Sequence, residues 1–143
     1  MGFERNKSAG FMVNHLARLF VKSINEGIEP LGSSAGQFPI LLLLWEGNDI
    51  SPSEISRRLD IEKATVTNTL NRMERDGLIQ RAKDPNDARA SIISISEKGL
   101  SLRDDMLQVA MGINKKATDS IDQKDFDIFL KVAQTMISNL SKA

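Results

Sequence analysis

The chain contains 143 residues, of which 41% are hydrophobic and 27% are charged, with 19 basic residues balanced by 19 acidic ones. This length suits one domain with a moderate core, and the composition is typical of a soluble globular protein. A formal net charge of zero excludes a histone-like polycation. Local DNA binding stays possible, because it depends on where the charges lie. The absence of cysteine excludes disulfides, thiolate metal sites and thiol-based peroxide sensing.

Other classes of protein are disfavoured by missing motifs. The single histidine, His15, argues against a histidine-rich zinc site, although carboxylates could still bind a metal. We expect no metal or cofactor. We find no glycine-rich phosphate loop and no catalytic constellation, so we expect no enzymatic activity. The apolar run 40–45 is too short to span a bilayer, and no signal-peptide pattern is present. The protein is therefore expected to be cytoplasmic, without membrane association.

The first helical pattern begins at Phe11 and ends near Gly27, before Pro30, while the polar residues 1–9 are expected to be frayed. Its apolar residues cover more than one face of the helix. We therefore expect this helix to lie between partners.

A second helix could be capped by Ser33 or Ser34. Pro39 complicates this assignment, because proline beyond the first turn removes an amide donor and crowds the preceding carbonyl. The helix therefore either starts later or is kinked there. A turn is predicted at 47–49, and Ile50 could add a short strand pairing.

Residues 51–59 carry the signals of a helix start. Ser51 is suited to the N-cap, Pro52 to the first helical position and Glu54 to a capping box. A short connection, 60–62, leads into another helix. Two short helices with this spacing predict a helix-turn-helix, in which the second helix reads DNA.

That second helix is predicted to have two contrasting faces. Val66, Leu70 and Met73 recur at helical spacing and form an apolar stripe. The other side carries short polar or basic groups, which can hydrogen-bond base pairs and phosphates. Gly77 follows, where a left-handed residue would end the helix at little steric cost.

Base-edge contacts are predicted on this polar face, because threonine and asparagine side chains both donate and accept hydrogen bonds. The residues concerned are Thr65, Thr67, Asn68 and Asn71. A merely solvated helix face is the alternative. Phosphate contacts are predicted for Arg81 and Lys83. They are also possible for Arg57, Arg58 and Arg72, some of which must instead pair with Glu54, Glu62 or Glu74.

A β-hairpin follows. We predict a strand at 79–82, a turn-rich loop at 83–89 and a returning strand at 91–95, with Ile92 or Ile93 facing inward. A hairpin attached to a helix-turn-helix makes a winged helix.

The loop of this hairpin carries the residues predicted to contact the minor groove. Arg89 is placed in or beside the groove, where negative potential attracts arginine. Asp87 is expected to hold either the Arg89 guanidinium or the loop in position. The alternative is an ordinary exposed pair of little energetic value.

The C-terminal part is predicted to form a long helix capped by Ser96 and spanning 97–119, and a last helix capped by Asp122. The last helix has a near-heptad apolar stripe. Its members are Phe126, Phe129, Leu130, Ala133, Met136, Ile137 and Leu140.

The predicted fold class is mostly α with a small β-hairpin. Residues 33–96 form a winged helix-turn-helix lobe, and residues 11–32 and 97–143 form dimerisation helices. These terminal segments contain far more apolar surface than a small lobe can cover. We therefore expect them to pack with each other and with a second copy of the chain.

The chain resembles regulators of the multiple antibiotic resistance (MarR) family over nearly its whole length. The resemblance rests on AGQFPILLLLWEG (35–47), SEISRRL (53–59), TVTNTLNRMERDGLIQR (65–81) and DPNDARASIISISEKG (84–99). The last is the most specific, because the wing of the family carries an Asp-x-Arg motif. Ala88, Ser96 and Asn68 depart from the common residues. The changes at 88 and 68 could reduce phosphate affinity or alter sequence preference.

The resemblance implies a homodimer that binds a pseudo-palindromic operator in double-stranded DNA. It also implies a repressor released by a small phenolic or amphipathic ligand that binds between the dimerisation helices and the lobe. His15 lies near the expected crevice, although a partly buried structural histidine is the preferred interpretation. Trp45 is another pocket candidate, for which a core position is preferred.

Three functional hypotheses remain in order. A ligand-responsive DNA-binding regulator comes first. A winged helix that serves as a protein-interaction module comes second, because the charge of residues 51–98 is near neutral. A small enzyme comes last, since nothing in the sequence favours it.

Overall fold

The computed structural model describes residues 2–47 and 49–141. The helices are α1 (Ala9–Ile28), α2 (Phe38–Trp45), α3 (Pro52–Leu59), α4 (Lys63–Arg75), α5 (Glu97–Ser101), α6 (Arg103–Ala117) and α7 (Gln123–Ser141). The strands β1 (Ile79–Asp84) and β2 (Asp87–Ile95) form an antiparallel hairpin. This confirms the predicted fold class. Asn48 of the predicted turn, and Lys142 and Ala143 of the predicted dimerisation segment, lie outside the described residues.

The N-terminal segment is more ordered than predicted. A 3₁₀ turn spans Arg5–Lys7, and α1 begins at Ala9, where residues up to 9 were expected to be frayed. The reason is an N-cap, because the Ser8 hydroxyl accepts a hydrogen bond from the Phe11 amide at 3.3 Å.

Helix α2 starts later than either serine would place it. Its N-cap is Gln37, and Pro39 lies in the first turn, where its missing amide costs nothing. Of the two alternatives for Pro39, the later start is therefore confirmed. The prediction that Ser33 or Ser34 caps the helix is wrong, and the Ser33 hydroxyl instead donates to Gln37 Oε1 at 2.7 Å.

The start of α3 follows only part of the predicted pattern. The Ser51 hydroxyl accepts from the Glu54 amide at 3.1 Å, and Pro52 occupies the first turn. In a capping box the Glu54 carboxylate would also accept a hydrogen bond from the Ser51 backbone amide. Here the carboxylate makes other contacts instead. It accepts from Arg57 Nε at 3.1 Å and Arg58 Nε at 2.8 Å. Arginines one turn away compete for this carboxylate because they bring a full positive charge.

Helix α4 has the predicted apolar and polar faces, and it ends at the predicted glycine. Val66, Leu70 and Met73 are buried in the core. Gly77 has φ +78°, and the Leu78 amide donates to the Met73 carbonyl at 2.9 Å. This is the six-to-one bond of a Schellman ending, which needs a left-handed residue before Leu78.

The hairpin is longer and its turn tighter than predicted. The loop predicted at 83–89 is wrong, because pairing continues to Asp84 and resumes at Asp87. Within this turn the Asp84 carboxylate accepts from the Asn86 amide at 2.8 Å, so the turn satisfies its own donor. Ile93 is the buried residue of β2, and it pairs with Ile50 as expected.

The prediction of a single long helix at 97–119 is wrong, because the helix is interrupted at Leu102, between α5 and α6. The cause is tertiary. The Gly99 carbonyl, which a continuous helix offers to the amide of residue 103, accepts from Trp45 Nε1 at 3.0 Å. Gly99 is also pressed against the hairpin, since a Cβ there would lie 2.4 Å from the Leu78 carbonyl oxygen.

The core lies mainly inside the lobe, and residues of α1 and α6 extend it. Ile28 of α1 and Met106 of α6 are buried in the same cluster as the lobe residues. The two helices approach closely at Gly27, where a Cβ would lie 2.4 Å from Val109 Cγ1. Helix α7 contributes no buried residue in its described length. None of the helices in residues 2–47 and 49–141 is long and apolar enough to cross a membrane.

Candidate DNA interface

The polar side of α4 is open to solvent because the apolar stripe on the other side is anchored in the core. Five predicted contact residues are exposed on this helix. They are Thr65, Thr67, Asn68, Asn71 and Arg72. Hydroxyl, amide and guanidinium groups on one helix side can meet base edges and phosphates together.

Arg81 connects the hairpin to this face. Its Nη2 donates to Asn71 Oδ1 at 3.0 Å, and its Nε lies 3.5 Å from Glu74 Oε1. The Arg81 side chain is only 26% exposed. The residue predicted as a phosphate contact is thus engaged with two residues of α4.

The turn of the hairpin is organised by Asp87. Its Oδ1 accepts from the backbone amide of Arg89 at 3.0 Å. Sequence left open whether Asp87 holds the guanidinium or the loop, and the structure shows a contact with the loop backbone. Arg89 and Lys83 are both exposed on the hairpin.

Arg57 and Arg58 of α3 both form salt bridges with Glu54, which is one of the pairings that the sequence left open. Hydrogen bonds from Arg57 and then Arg58 lower the pKa of Glu54 to about 2. Glu74 pairs with Arg81. The positive charges of Arg57 and Arg58 are therefore partly offset on the surface of α3.

The end of α4 is fixed by a polar network that sequence reasoning missed. Gln37, which is buried, donates through Nε2 to Asp76 Oδ2 at 3.2 Å, and Lys98 Nζ donates to the Asp76 carbonyl at 2.8 Å. Partial burial acts to raise the pKa of Asp76, but hydrogen bonds from Gln37 and Arg75 outweigh it and lower the pKa. Gln37 and Asp76 are 39 positions apart in the sequence, so no local sequence pattern could predict this hydrogen bond.

The two pocket candidates lie in different places. His15 is exposed, so the expectation of a partly buried histidine is wrong for the single chain. It lines an open cleft of about 370 Å³ together with apolar residues of α1 and Phe129 of α7. Trp45 is half-buried in the lobe, where it contacts Phe38 edge-to-face and holds Gly99. The structure therefore does not bring His15 and Trp45 together.

Metal binding finds no support in the described part of the chain. Among residues 2–47 and 49–141, no three His, Cys, Asp or Glu side chains are grouped so that they could hold a metal ion.

The chain is similar to known proteins in both sequence and structure. Residues 34–91 match the family model described as the MarR family. The organic hydroperoxide resistance transcriptional regulator of Bacillus subtilis (strain 168) is 28% identical over 116 residues, covering 79% of each chain.

Solved structures show the same fold over nearly the whole chain. A MarR transcriptional regulator from Methanosarcina mazei Go1 superposes with a TM-score of 0.85 at 28% identity, covering 91% of this chain and 94% of that one. A Listeria monocytogenes protein described as a MarR family transcriptional regulator complexed with 26mer DNA gives a TM-score of 0.88 at 19% identity, covering 94% and 90%. With the winged helix-turn-helix described above, these matches show that the chain belongs to the MarR family of transcriptional regulators.

Proposed function

We propose that this transcriptional regulator is a homodimeric repressor that binds a pseudo-palindromic operator in double-stranded DNA. The observation that carries the proposal is the exposed polar face of α4 beside a hairpin that presents Arg89. The Listeria protein of the same fold, which was solved with DNA, supports this use of the surface. A repressor of this kind acts in the cytoplasm.

In the proposed complex α4 enters the major groove. Thr65, Thr67, Asn68 and Asn71 face base edges, and Arg72 and Lys83 contact phosphates. Arg89 reaches the minor groove from the hairpin, where a narrow groove concentrates negative potential.

The dimer is supported by the apolar surface of the terminal helices. Val13 and Leu19 of α1 are 53% exposed, and Ile137 of α7 is 60% exposed. A monomer seldom leaves so many large apolar side chains in water. A two-fold dimer would place two copies of α4 about 34 Å apart, one turn of B-DNA.

Release by a small amphipathic or phenolic ligand completes the proposal. The family resemblance places this ligand between the dimerisation helices and the lobe. The cleft at His15 is instead lined by Val13 and Leu19, which the proposed dimer would bury. A ligand that favours a dimer with misplaced reading helices would weaken DNA binding by its differential affinity for the two states. Because the chain has no cysteine, thiol oxidation cannot supply this signal.

The proposal is tested by fluorescence anisotropy against the upstream intergenic DNA of its own gene and a scrambled fragment, over a salt series. We expect tight binding to the upstream fragment alone, falling steeply with salt because phosphate contacts release counterions. Equal weak binding to both fragments would move the search to operators selected from random DNA. No binding to either at low salt would overturn the proposal in favour of a protein-interaction module.

Arg89→Ala tests the role of the wing. We expect a loss of DNA affinity of about 5- to 150-fold, the equivalent of about 1–3 kcal/mol. Dimerisation and thermal stability should stay nearly unchanged, because an exposed turn residue contributes little to the core. Arg103→Ala, which removes an arginine outside α4 and the hairpin, is the matched control and should bind as the wild type does. A loss of dimer or of helix content in Arg89→Ala would instead make this arginine structural.

A further inference from the structure

Three polar residues form a cluster between the reading helix and the hairpin. Asn71 and Glu74 lie one turn apart on α4, and Arg81 reaches both from β1. Arg81 is paired with the buried Ile93 of β2, so its backbone belongs to a rigid part of the lobe. The cluster is thus held by secondary structure at both ends.

The donor chemistry of this contact fixes the orientation of the Asn71 amide. A guanidinium has only donors, whereas an asparagine amide has an oxygen that accepts and an NH₂ that donates. Only the oxygen can face Arg81, at the observed Nη2–Oδ1 distance of 3.0 Å. The flipped amide would set NH₂ against N–H and lose the bond. The NH₂ group therefore points away from Arg81.

Glu74 limits how strongly the Arg81 guanidinium can interact with a DNA phosphate. Its carboxylate lies 3.5 Å from Arg81 Nε and is 49% exposed, so it orients the guanidinium and offsets its charge. An arginine with an acid beside it gains less from a phosphate than Lys83 would, since Lys83 forms no salt bridge with any residue that the structure describes.

We infer that Arg81 is a positioning residue, which locks Asn71 so that its NH₂ donates to an acceptor on a base edge. The inference rests on the proposed function. Purine N7, guanine O6 and thymine O4 are such acceptors in the major groove, whereas the cytosine N4 amino group is a donor and would be rejected. Arg81 then acts on sequence discrimination, and its removal does not change the number of phosphates neutralised.

Salt dependence separates this role from a direct phosphate contact. Each neutralised phosphate contributes about −0.9 to the slope of log K against log salt on duplex DNA. Loss of a phosphate contact lowers affinity for every sequence and makes the slope shallower by about one. Loss of a positioning residue lowers affinity for the operator alone, with the slope unchanged.

The experiment measures operator and scrambled DNA over a salt series for the full-length dimer, with an operator selected from random DNA. Arg81→Ala should weaken operator binding about 5- to 50-fold and leave scrambled DNA and the slope unchanged. Asn71→Ala should show a similar loss, and the double variant should be no worse than Asn71→Ala alone. Lys83→Ala is the matched control on the same strand, for which a shallower slope and equal loss on both DNAs are expected.

Glu74→Gln provides a second variant that is independent of the fold of β1. If Arg81 positions Asn71, the ratio of operator to scrambled affinity falls. If Arg81 is a phosphate contact held back by Glu74, both affinities rise and their ratio stays constant. That result, or additive losses with a shallower slope in Arg81→Ala, would overturn the inference. A wild-type protein that selects no sequence would instead overturn the proposed function, and the thermal midpoint and dimer state of each variant show whether it is folded.

Discussion

The lobe and the terminal helices differ in how far they bury their apolar side chains. In residues 2–47 and 49–141, twelve of the fourteen buried apolar residues of the core lie within 33–96, and the other two are Ile28 and Met106. All of the large apolar residues that are exposed in the described chain lie outside 33–96. The lobe therefore closes its core within one chain, while α1 and α7 keep apolar faces that only further association would bury.

This difference predicts two kinds of stability. Interactions inside the lobe should contribute the same free energy at any protein concentration. The stability of the terminal helices should rise with concentration, because a partner that binds only the folded chain stabilises it by mass action. The following substitutions test that division.

Ile137→Asp should have the largest effect. In a dimer it would bury one unpaired carboxylate from each copy, which costs several kcal/mol per group. We expect the dimer dissociation constant to rise by about 100-fold or more, measured by sedimentation velocity, with operator binding lost at the same time. Asn139→Asp, on another side of the same helix, should leave the dimer intact. An unchanged dimer in Ile137→Asp would show that α7 does not form the interface.

Gly99→Ala tests the interior of the lobe. The new methyl group would lie 2.4 Å from the backbone oxygen of Leu78, which cannot move without disturbing the hairpin. We expect the free energy of unfolding to fall by about 1–3 kcal/mol or more, independently of protein concentration.

Gly10→Ala is the control for this substitution, because its Cβ would meet nothing closer than 4.0 Å. We expect it to be neutral or to stabilise α1 by up to about 1 kcal/mol. Both variants are measured by urea denaturation at two protein concentrations. Equal stability of Gly99→Ala and Gly10→Ala would mean that the hairpin and α5 are not tightly packed.

Ser96→Ala should have a smaller effect at the same junction. The Ser96 hydroxyl accepts from the Gly99 amide at 3.0 Å and donates to the Gly77 carbonyl at 2.6 Å. Losing both should cost about 1–2 kcal/mol in thermal or urea denaturation. Ser96→Thr keeps the hydroxyl and should retain most of the stability. A variant that loses as much with threonine would show that shape, not capping, matters there.

Glu54→Gln should have the smallest effect and a defined pH dependence. Because hydrogen bonds from Arg57 and then Arg58 lower the folded-state pKa of Glu54 to about 2, its contribution is present above the unfolded pKa of about 4.3. It is lost as the pH falls from there towards 2. The wild type should therefore exceed Glu54→Gln in stability at pH 7, and their urea midpoints should converge near pH 2. A constant difference across that range would contradict the assignment.

Sequence by itself determined the elements whose signals are local. The cap at Ser51, the apolar stripe of α4 and the left-handed Gly77 each depend on residues within two turns of one another, and all three are confirmed. The winged helix-turn-helix and the exposed polar face of α4 followed from those signals. Which of these residues contact DNA is still a prediction.

Tertiary structure decided what depends on partners distant in sequence. The break between α5 and α6 comes from Trp45, 54 positions before Gly99, and the engagement of Arg81 comes from Asn71 across ten positions. The exposure of His15 likewise depends on how α1 and α7 pack. Periodicity and capping report only the residues within a turn or two, so contacts made by folding the chain back on itself lie beyond their reach.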